Sequence, residues 1–276
     1  MNLLLDPAQH GLLAAVEQSG TAAGPGASGW EVVDGLGLSE LLLPEPGRAP
    51  LLGLLEWCLV LEELGAGCRD HALVRQVRAL LDTLTAGPAD PRAGEEFLRW
   101  ARARRADADP REELPAALAR TTAAADPRTA RDVADRDLIA LGAYAVGVGR
   151  RCLELAQQRA SRRVVAGRRL LEHQGTSHRI ARCAVDLVLA RAGLWRAAQG
   201  EDQGERAAHR APAAAAASLS AALDCAHTAV QVFGAAGTSD PDVVRLFRTA
   251  YSLGSVAGSA RVLWQSAGTR RLQSPF

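Results

Sequence analysis

The residue types able to do chemistry gather in two stretches of the chain. One is Ser161 to Leu170, reading Ser-Arg-Arg-Val-Val-Ala-Gly-Arg-Arg-Leu, followed by Gln174 and His178. Four arginines, Arg162, Arg163, Arg168 and Arg169, flank a single glycine, and a guanidinium fork presents paired N–H groups to phosphate or carboxylate oxygens. On a chain whose 32 basic residues are all arginine, the same run also reads as a solvated turn. The other stretch is Gln231-Val232-Phe233-Gly234-Ala235-Ala236-Gly237, where glycines either admit a ligand close to the backbone or end a helix. Asp135 and Asp137 stand at the head of a long apolar-periodic segment, where an aspartate by default caps the helix and meets its dipole.

Spacing and charge exclude several other chemistries. The five cysteines (Cys58, Cys68, Cys152, Cys183, Cys225) are odd in number and scattered, without a C-x-x-C pair. A disulfide framework and a zinc site are therefore not expected, and no metal is assigned. His71, His173, His209 and His227 have no spacing that suggests a triad or a metal. His178 follows Gly175-Thr176-Ser177, a helix-start signature, and reads as structural. A net charge of +1 does not point to nucleic acid or an anionic membrane surface. No apolar run reaches the ~18 residues a membrane span needs, and the N-terminus has no basic leader region. The chain is expected to be cytoplasmic.

The elements that must position these residues read as helices. Leu51 to Leu64 is too apolar for a surface helix and too long for a strand, and it meets Gly65 and Gly67. Asp137 to Arg159 repeats apolar residues at three and four spacing, with Gly142, Ala145, Gly147 and Gly149 on neighbouring positions. Small residues in mid-helix cost stability unless another backbone packs against them, so this helix belongs in the middle of a bundle. His178 to Ala198 and Ala213 to Phe233 are two more helices, and Pro241 to Ala257, extending toward Trp264, is the last. Strand signals are confined to Glu31–Val33 and Arg163–Ala166. An all-α bundle follows. Residues 85–135, thick with Pro, Ala, Arg and Asp, read as a connector with short helices at Glu95–Arg105 and Arg111–Ala124. They lie between an N-terminal helical region, 1–84, and a C-terminal bundle, 136–276. Gly200 to Pro212 reads as a polar loop.

Several of these stretches resemble acyl-CoA dehydrogenases. Met1 to Ala66 is similar to the family's start: a helix at Pro7 to Gln18, a Trp30 helix leading to Gly35-Leu36-Gly37-Leu38, a Leu43-Pro44-Glu45 turn, and a helix ending Leu61-Glu62-Glu63-Leu64-Gly65. Asp137 to His178 resembles the segment where a long helix reaches an Arg-x-Gln-Phe-Gly-x-Pro-Leu turn and the next helix begins with Gln and His. Gln231 to Gly237 parallels Q-x-x-G-G-x-G, and Asp137 to about Gln265 looks like the family's last helical domain.

The resemblance implies an acyl-CoA dehydrogenase-like helical bundle without the β-barrel middle domain of about a hundred residues. It implies FAD as cofactor, with Arg163 on the pyrophosphate and Gln231, Gly234 and Gly237 at the adenosine side, across a subunit interface. The chain departs from the pattern where Val165, Ala166, Arg169 and Ala235 replace the family's Gln, Phe, Pro and second Gly. Abstraction of the α-proton needs a carboxylate over the substrate. Where many members carry a Glu, this chain has Ala257-Gly258-Ser259, which leaves Asp137 and Asp135, the position other members use, as the candidates beside their capping role.

Three functions stay open. The first is an FAD-dependent oxidoreductase acting on the CH–CH bond of an acyl thioester, acyl-CoA or carrier-bound, whose site is partner-dependent. The second is a non-catalytic helical subunit of a full-length acyl-CoA dehydrogenase, and the third a flavin-free ligand-binding derivative. A homo- or hetero-oligomer is expected, with apolar outer faces on Asp137–Arg159 and His178–Ala198.

Overall fold

The computed structural model describes residues 5–22, 29–38, 52–67, 127–205 and 207–273. Eight α-helices account for nearly all of them: α1 Pro7–Ala22, α2 Gly29–Gly35, α3 Leu54–Ala66, α4 Pro127–Arg162, α5 Gln174–Asp202, α6 Arg210–Phe233, α7 Pro241–Ala257 and α8 Ala260–Gln273. The one sheet among the described residues is a hairpin of two-residue strands, β1 Val164–Val165 and β2 Arg168–Arg169, paired Val164 to Arg169 and Val165 to Arg168. The all-α reading holds. Of the two stretches with strand signals, Glu31–Val33 lies in α2, where its valines are buried against the core.

The central helix is α4, and its glycines explain the packing. A Cβ on Gly147 would strike the Glu62 carbonyl of α3, and one on Gly65 would strike the Tyr144 carbonyl of α4. The backbones of α3 and α4 therefore touch at two reciprocal glycines. On another side of α4, a Cβ on Gly142 would sit 3.4 Å from the Ala215 Cα, and one on Gly149 would sit 3.0 Å from the Ala222 Cα. Both helices advance by seven residues between these contacts, so α4 and α6 run parallel along a small-residue seam. Glycine inside a helix costs ~0.5–1 kcal/mol relative to alanine; here the close approach it permits is what buries the seam.

Helix α3 is buried almost all round, through Leu54, Trp57, Cys58, Leu59, Val60, Leu61 and Leu64, as its continuous apolar run requires. Gly65 lies inside it rather than ending it. Its N-terminus is capped from far along the chain: Leu54 N–H and Leu55 N–H donate to the Asp202 carboxylate at 2.8 and 3.0 Å. Asp202 is the last residue of α5 and Arg210 the first of α6, so both ends of the stretch read as polar loop are helical.

Two further boundaries move. Helix α4 begins at Pro127, ten residues before its apolar period becomes visible, because proline suits the first helical turn and the early turns are polar. The last helix divides at Gly258, whose φ of +84° breaks it into α7 and α8. The expected connector helices at 95–105 and 111–124 and the Leu43-Pro44-Glu45 turn lie outside the described residues. The stretch between α3 and α4, residues 67–126, is shorter than a hundred-residue β-domain. Among the described residues, no helix is long and apolar enough to cross a membrane.

Candidate functional site

Where α4 ends, the chain turns back through β1 and β2. Ala166 at φ +51° and Gly167 at φ +75° occupy the two central positions, both left-handed, as a two-residue hairpin of this hand requires. The turn is closed by Leu170 N–H donating to the Arg163 carbonyl at 2.7 Å. The His173 ring sits within 3.1 Å of the Val165 carbonyl through Nε2. Glycine meets this backbone without penalty at 167; alanine at 166 does so against its own Cβ.

This turn meets the second glycine-bearing stretch. Arg163 Nη1 donates to the Phe233 carbonyl at 3.1 Å, and a Cβ on Gly234 would lie 3.4 Å from the same nitrogen. Phe233 is the last residue of α6, and Gly234, at φ +66°, ends the helix. The helix C-terminus carries partial negative charge, which arginines complement. Arg159 adds a second contact, its guanidinium 5.4 Å from the centre of the Phe233 ring. Gln231 is exposed one turn before, and Arg163 is exposed as well. The fold thus brings Arg163, Gln231 and Gly234 to one corner.

Gly237 serves a different purpose there. A Cβ on it would come within 2.7 Å of the Val230 carbonyl and 3.0 Å of the Phe233 Cβ, so the turn of residues 234–238 back onto the last turn of α6 accounts for this glycine. Arg163 has spent one N–H on a backbone carbonyl, and a guanidinium has five, so donors remain at the corner.

Asp135 and Asp137 are not helix caps, contrary to the sequence expectation. Both lie in the interior of α4, since the helix starts at Pro127. Asp135 is buried, 7 % exposed, and its Oδ1 accepts from Arg270 Nη1 of α8 at 2.6 Å. That guanidinium nitrogen also donates to the Ala208 carbonyl at 3.0 Å. Burial raises the Asp135 pKa, and the Arg270 hydrogen bond and charge oppose the rise. Neither aspartate is near Arg163: at 1.5 Å per residue they stand roughly 40 Å away along α4. The junction at Ala257, Gly258 and Ser259 has no carboxylate of its own.

The most developed polar cluster was missed by sequence reasoning. Glu62, 1 % exposed, accepts from Arg191 Nε and Trp195 Nε1 of α5, each at 2.6 Å. The Arg191 guanidinium stacks on the Trp195 ring at 4.4 Å. Burial pushes the Glu62 carboxyl up, against Arg191 and Trp195. Its neighbour Glu63 accepts from Arg150 Nη2 of α4 at 2.7 Å. The signal was an acidic pair at the end of an otherwise apolar helix: such a pair, once buried, demands partners.

A pocket of about 340 Å³ opens between α1, α3, α4 and α7. Its three arginines are each matched by an acid, Arg150 with Glu63, Arg151 with Glu154 and Arg245 with Asp242, and Glu17 also lines it, so it offers no surplus of positive charge to an anionic ligand. Among the described residues no group of three His, Cys, Asp or Glu side chains is placed to hold a metal.

Of the two helices expected to present apolar outer faces, only α5 does so. Residues 139–149 of α4 are buried on every side, whereas Val185, Val188 and Leu189 of α5 are 57, 66 and 65 % exposed. Their three and four spacing makes one stripe.

Comparison with known proteins agrees with this architecture. The profile described as "Acyl-CoA dehydrogenase, C-terminal domain" matches residues 128–272, just over half of the chain. Cyclohexane-1-carbonyl-CoA dehydrogenase of Geobacter metallireducens is 34 % identical over 112 residues, 40 % of this chain and 30 % of that protein. Less than a third of that relative's length is therefore matched. Among solved structures, butyryl-CoA dehydrogenase from Megasphaera elsdenii superposes with a TM-score of 0.74 at 17 % identity, covering 99 % of this chain and 100 % of the other. A chain of the ChsE4-ChsE5 complex from Mycobacterium tuberculosis gives 0.75 at 17 % identity, covering 100 % of both chains. These structural likenesses establish the fold.

Proposed function

Since the chain belongs to the acyl-CoA dehydrogenase family, we propose that it is the helical component of a flavin-dependent acyl-thioester dehydrogenase assembled with a second chain of that family. The observation that carries this reading is the meeting of Arg163 with Phe233 and Gly234, distant in sequence and joined at 3.1 Å. Arg163 is exposed there, with N–H groups left over beyond that bond. Arg163 would hold the cofactor's phosphates through its remaining N–H groups, with the exposed Gln231 amide beside it and Gly234 leaving room for the approach. The FAD, when bound, supplies a hydride acceptor for the acyl chain. Gly237 is left out of the contact set, since its own backbone accounts for it.

The partner completes what this chain does not carry. No carboxylate stands at Ala257 to Ser259, and Asp135 is tied to Arg270 at 2.6 Å, so the base is assigned to the partner ahead of Asp135 and Asp137. The Val185, Val188 and Leu189 stripe is the surface on which that partner would dock. One of the structural relatives is itself described as a complex of two differently named chains, which supports a hetero-oligomer. A second reading, a non-catalytic subunit that stabilises a full-length homologue, is favoured by the Asp135–Arg270 pairing alone.

Visible absorption spectra separate these readings. The chain purified alone is expected to show little flavin, and the chain co-purified with a full-length homologue to show a flavin band that exceeds what the homologue holds by itself. A complex whose flavin content equals that of the homologue alone would establish the non-catalytic subunit instead.

A further inference from the structure

Between them, α5 and α6 leave a groove of about 490 Å³ lined by His178, Arg179, Arg182, Cys183, Asp224 and His227, with Asp186 and Thr228 completing it. None of these residues serves the proposed flavin contact. One thiol lines it and a second is buried beside the first. Cys183 of α5 is 5 % exposed, and Cys225 of α6 is fully buried. The Cys183 Sγ is 3.2 Å from Thr228 Oγ1, and the Cys225 Sγ is 4.0 Å from the Cys183 carbonyl. Cys152 of α4 is buried behind them.

We propose that Cys183 and Cys225 are a peroxide-responsive thiol pair that closes into a reversible disulfide stapling α5 to α6. The geometry fixes the order of events, because Cys183 lines the groove and Cys225 does not. Cys183 is the sulfur a small oxidant reaches, and Cys225 is the one that resolves it. The surroundings support the assignment of roles. The neighbouring Cys225 side chain, and the Thr228 hydroxyl at 3.2 Å, hold Cys183 below the ordinary thiol range against burial, Asp224 and Asp186. Cys225 is held above that range by the same pairing with Cys183, by burial, and by the nearby Cys152 and Asp224. Arg179, Arg182, His178 and His227 place cationic or protonatable groups around the mouth, the kind of setting in which a thiolate reacts.

The chemistry balances with hydrogen peroxide as the oxidant. The Cys183 thiolate attacks one peroxide oxygen, the O–O bond breaks, and hydroxide leaves with the electron pair, giving the sulfenic acid. The Cys225 thiol then attacks the Cys183 sulfur, the S–O bond breaks, and water leaves with the thiol proton. The two cysteines lose two electrons and two protons, and the peroxide is reduced to two waters. A dithiol reductant reverses the bridge by exchange.

The full chain carrying Cys68→Ser, which removes the thiol outside the described residues, is exposed to hydrogen peroxide, alkylated under denaturing conditions, digested and weighed. The expected result is a peptide linking Cys183 to Cys225, with loss of both from the alkylated pool and recovery of both after dithiothreitol. Adding Cys225→Ser should stop the reaction at a Cys183 sulfenic acid that dimedone traps. Full alkylation of Cys183 and Cys225 after peroxide would overturn the proposal, as would a bridge between Cys152 and Cys225. If the Cys225→Ser chain does not fold, the linked peptide in the first protein still decides the matter.

Discussion

Two polar clusters built on the same central helix are constructed on opposite principles. At the crossing of α3, α4 and α5, Glu62 and Glu63 are held by Arg191, Trp195 and Arg150 at 2.6 to 2.7 Å, and every partner comes from this chain. At the end of α4, Arg163 is exposed and gives one hydrogen bond to the Phe233 carbonyl at 3.1 Å. A buried acid without partners costs several kcal/mol, so the first cluster had to be closed for the chain to fold. An exposed arginine faces no such demand. The closed cluster therefore explains the fold, and the open one is where a ligand has donors to use.

Breaking the closed cluster is expected to have the largest effect. Arg191→Ala leaves Glu62 buried without its charged partner and should cost about 3–5 kcal/mol of stability in urea unfolding; a loss below about 1 kcal/mol would mean that Trp195 and protonation suffice. Gly147→Ala comes next. Its Cβ would meet the Glu62 carbonyl, forcing α3 and α4 apart at a cost of about 1–3 kcal/mol. The same change at Gly193, which has open space around it, should instead be neutral or stabilising.

The pH dependence of the closed cluster has a definite sign. Burial raises the folded pKa of Glu62 above the ordinary glutamate value of 4.5, so the folded chain takes up that proton before the unfolded chain does. The stability this contributes is fully present below about pH 4.5 and is lost as pH rises through the folded value. Asp135 and Asp202 are raised for the same first reason, burial, and act in the same direction. Urea midpoints of the natural chain and of Glu62→Gln, taken from pH 4.5 upward, should show the natural chain's advantage shrinking as pH increases. A growing advantage would contradict the burial argument.

Changes in the open region should move stability little. Ala166→Gly relieves a left-handed alanine at φ +51° and should raise stability by at most about 1 kcal/mol. Arg163→Ala should lower it by about 0.5 kcal/mol or less, as exposed substitutions do. If Arg163→Ala unfolds the chain, the corner is part of the fold and the contrast between the clusters fails.

The same contrast accounts for what was legible in the sequence. The bundle was readable because Gly142, Gly147 and Gly149 in an apolar period have one common explanation, close backbone packing, and the structure supplies it. The meeting of Arg163 with Gly234 was readable only through resemblance, since nothing in either stretch encodes a contact 70 residues apart. Asp135 was misread as a cap because its partner, Arg270, is 135 residues away and the polar first turns of α4 hide the helix start. Asp202 capping α3 was invisible for the same reason: a side chain that satisfies a distant helix end leaves no local pattern.

The central claim is that Arg163 is kept for a phosphate-bearing cofactor and not for the fold. It is tested most directly by the flavin-to-protein ratio of the chain co-purified with its full-length homologue, measured by visible absorbance for the natural sequence and for Arg163→Ala. The predicted result is an intact complex with unchanged thermal stability and at least a tenfold weaker hold on the flavin, the loss expected for one charged hydrogen-bonding group worth about 1.5–3 kcal/mol. Equal flavin content and equal affinity in the two complexes would contradict the account.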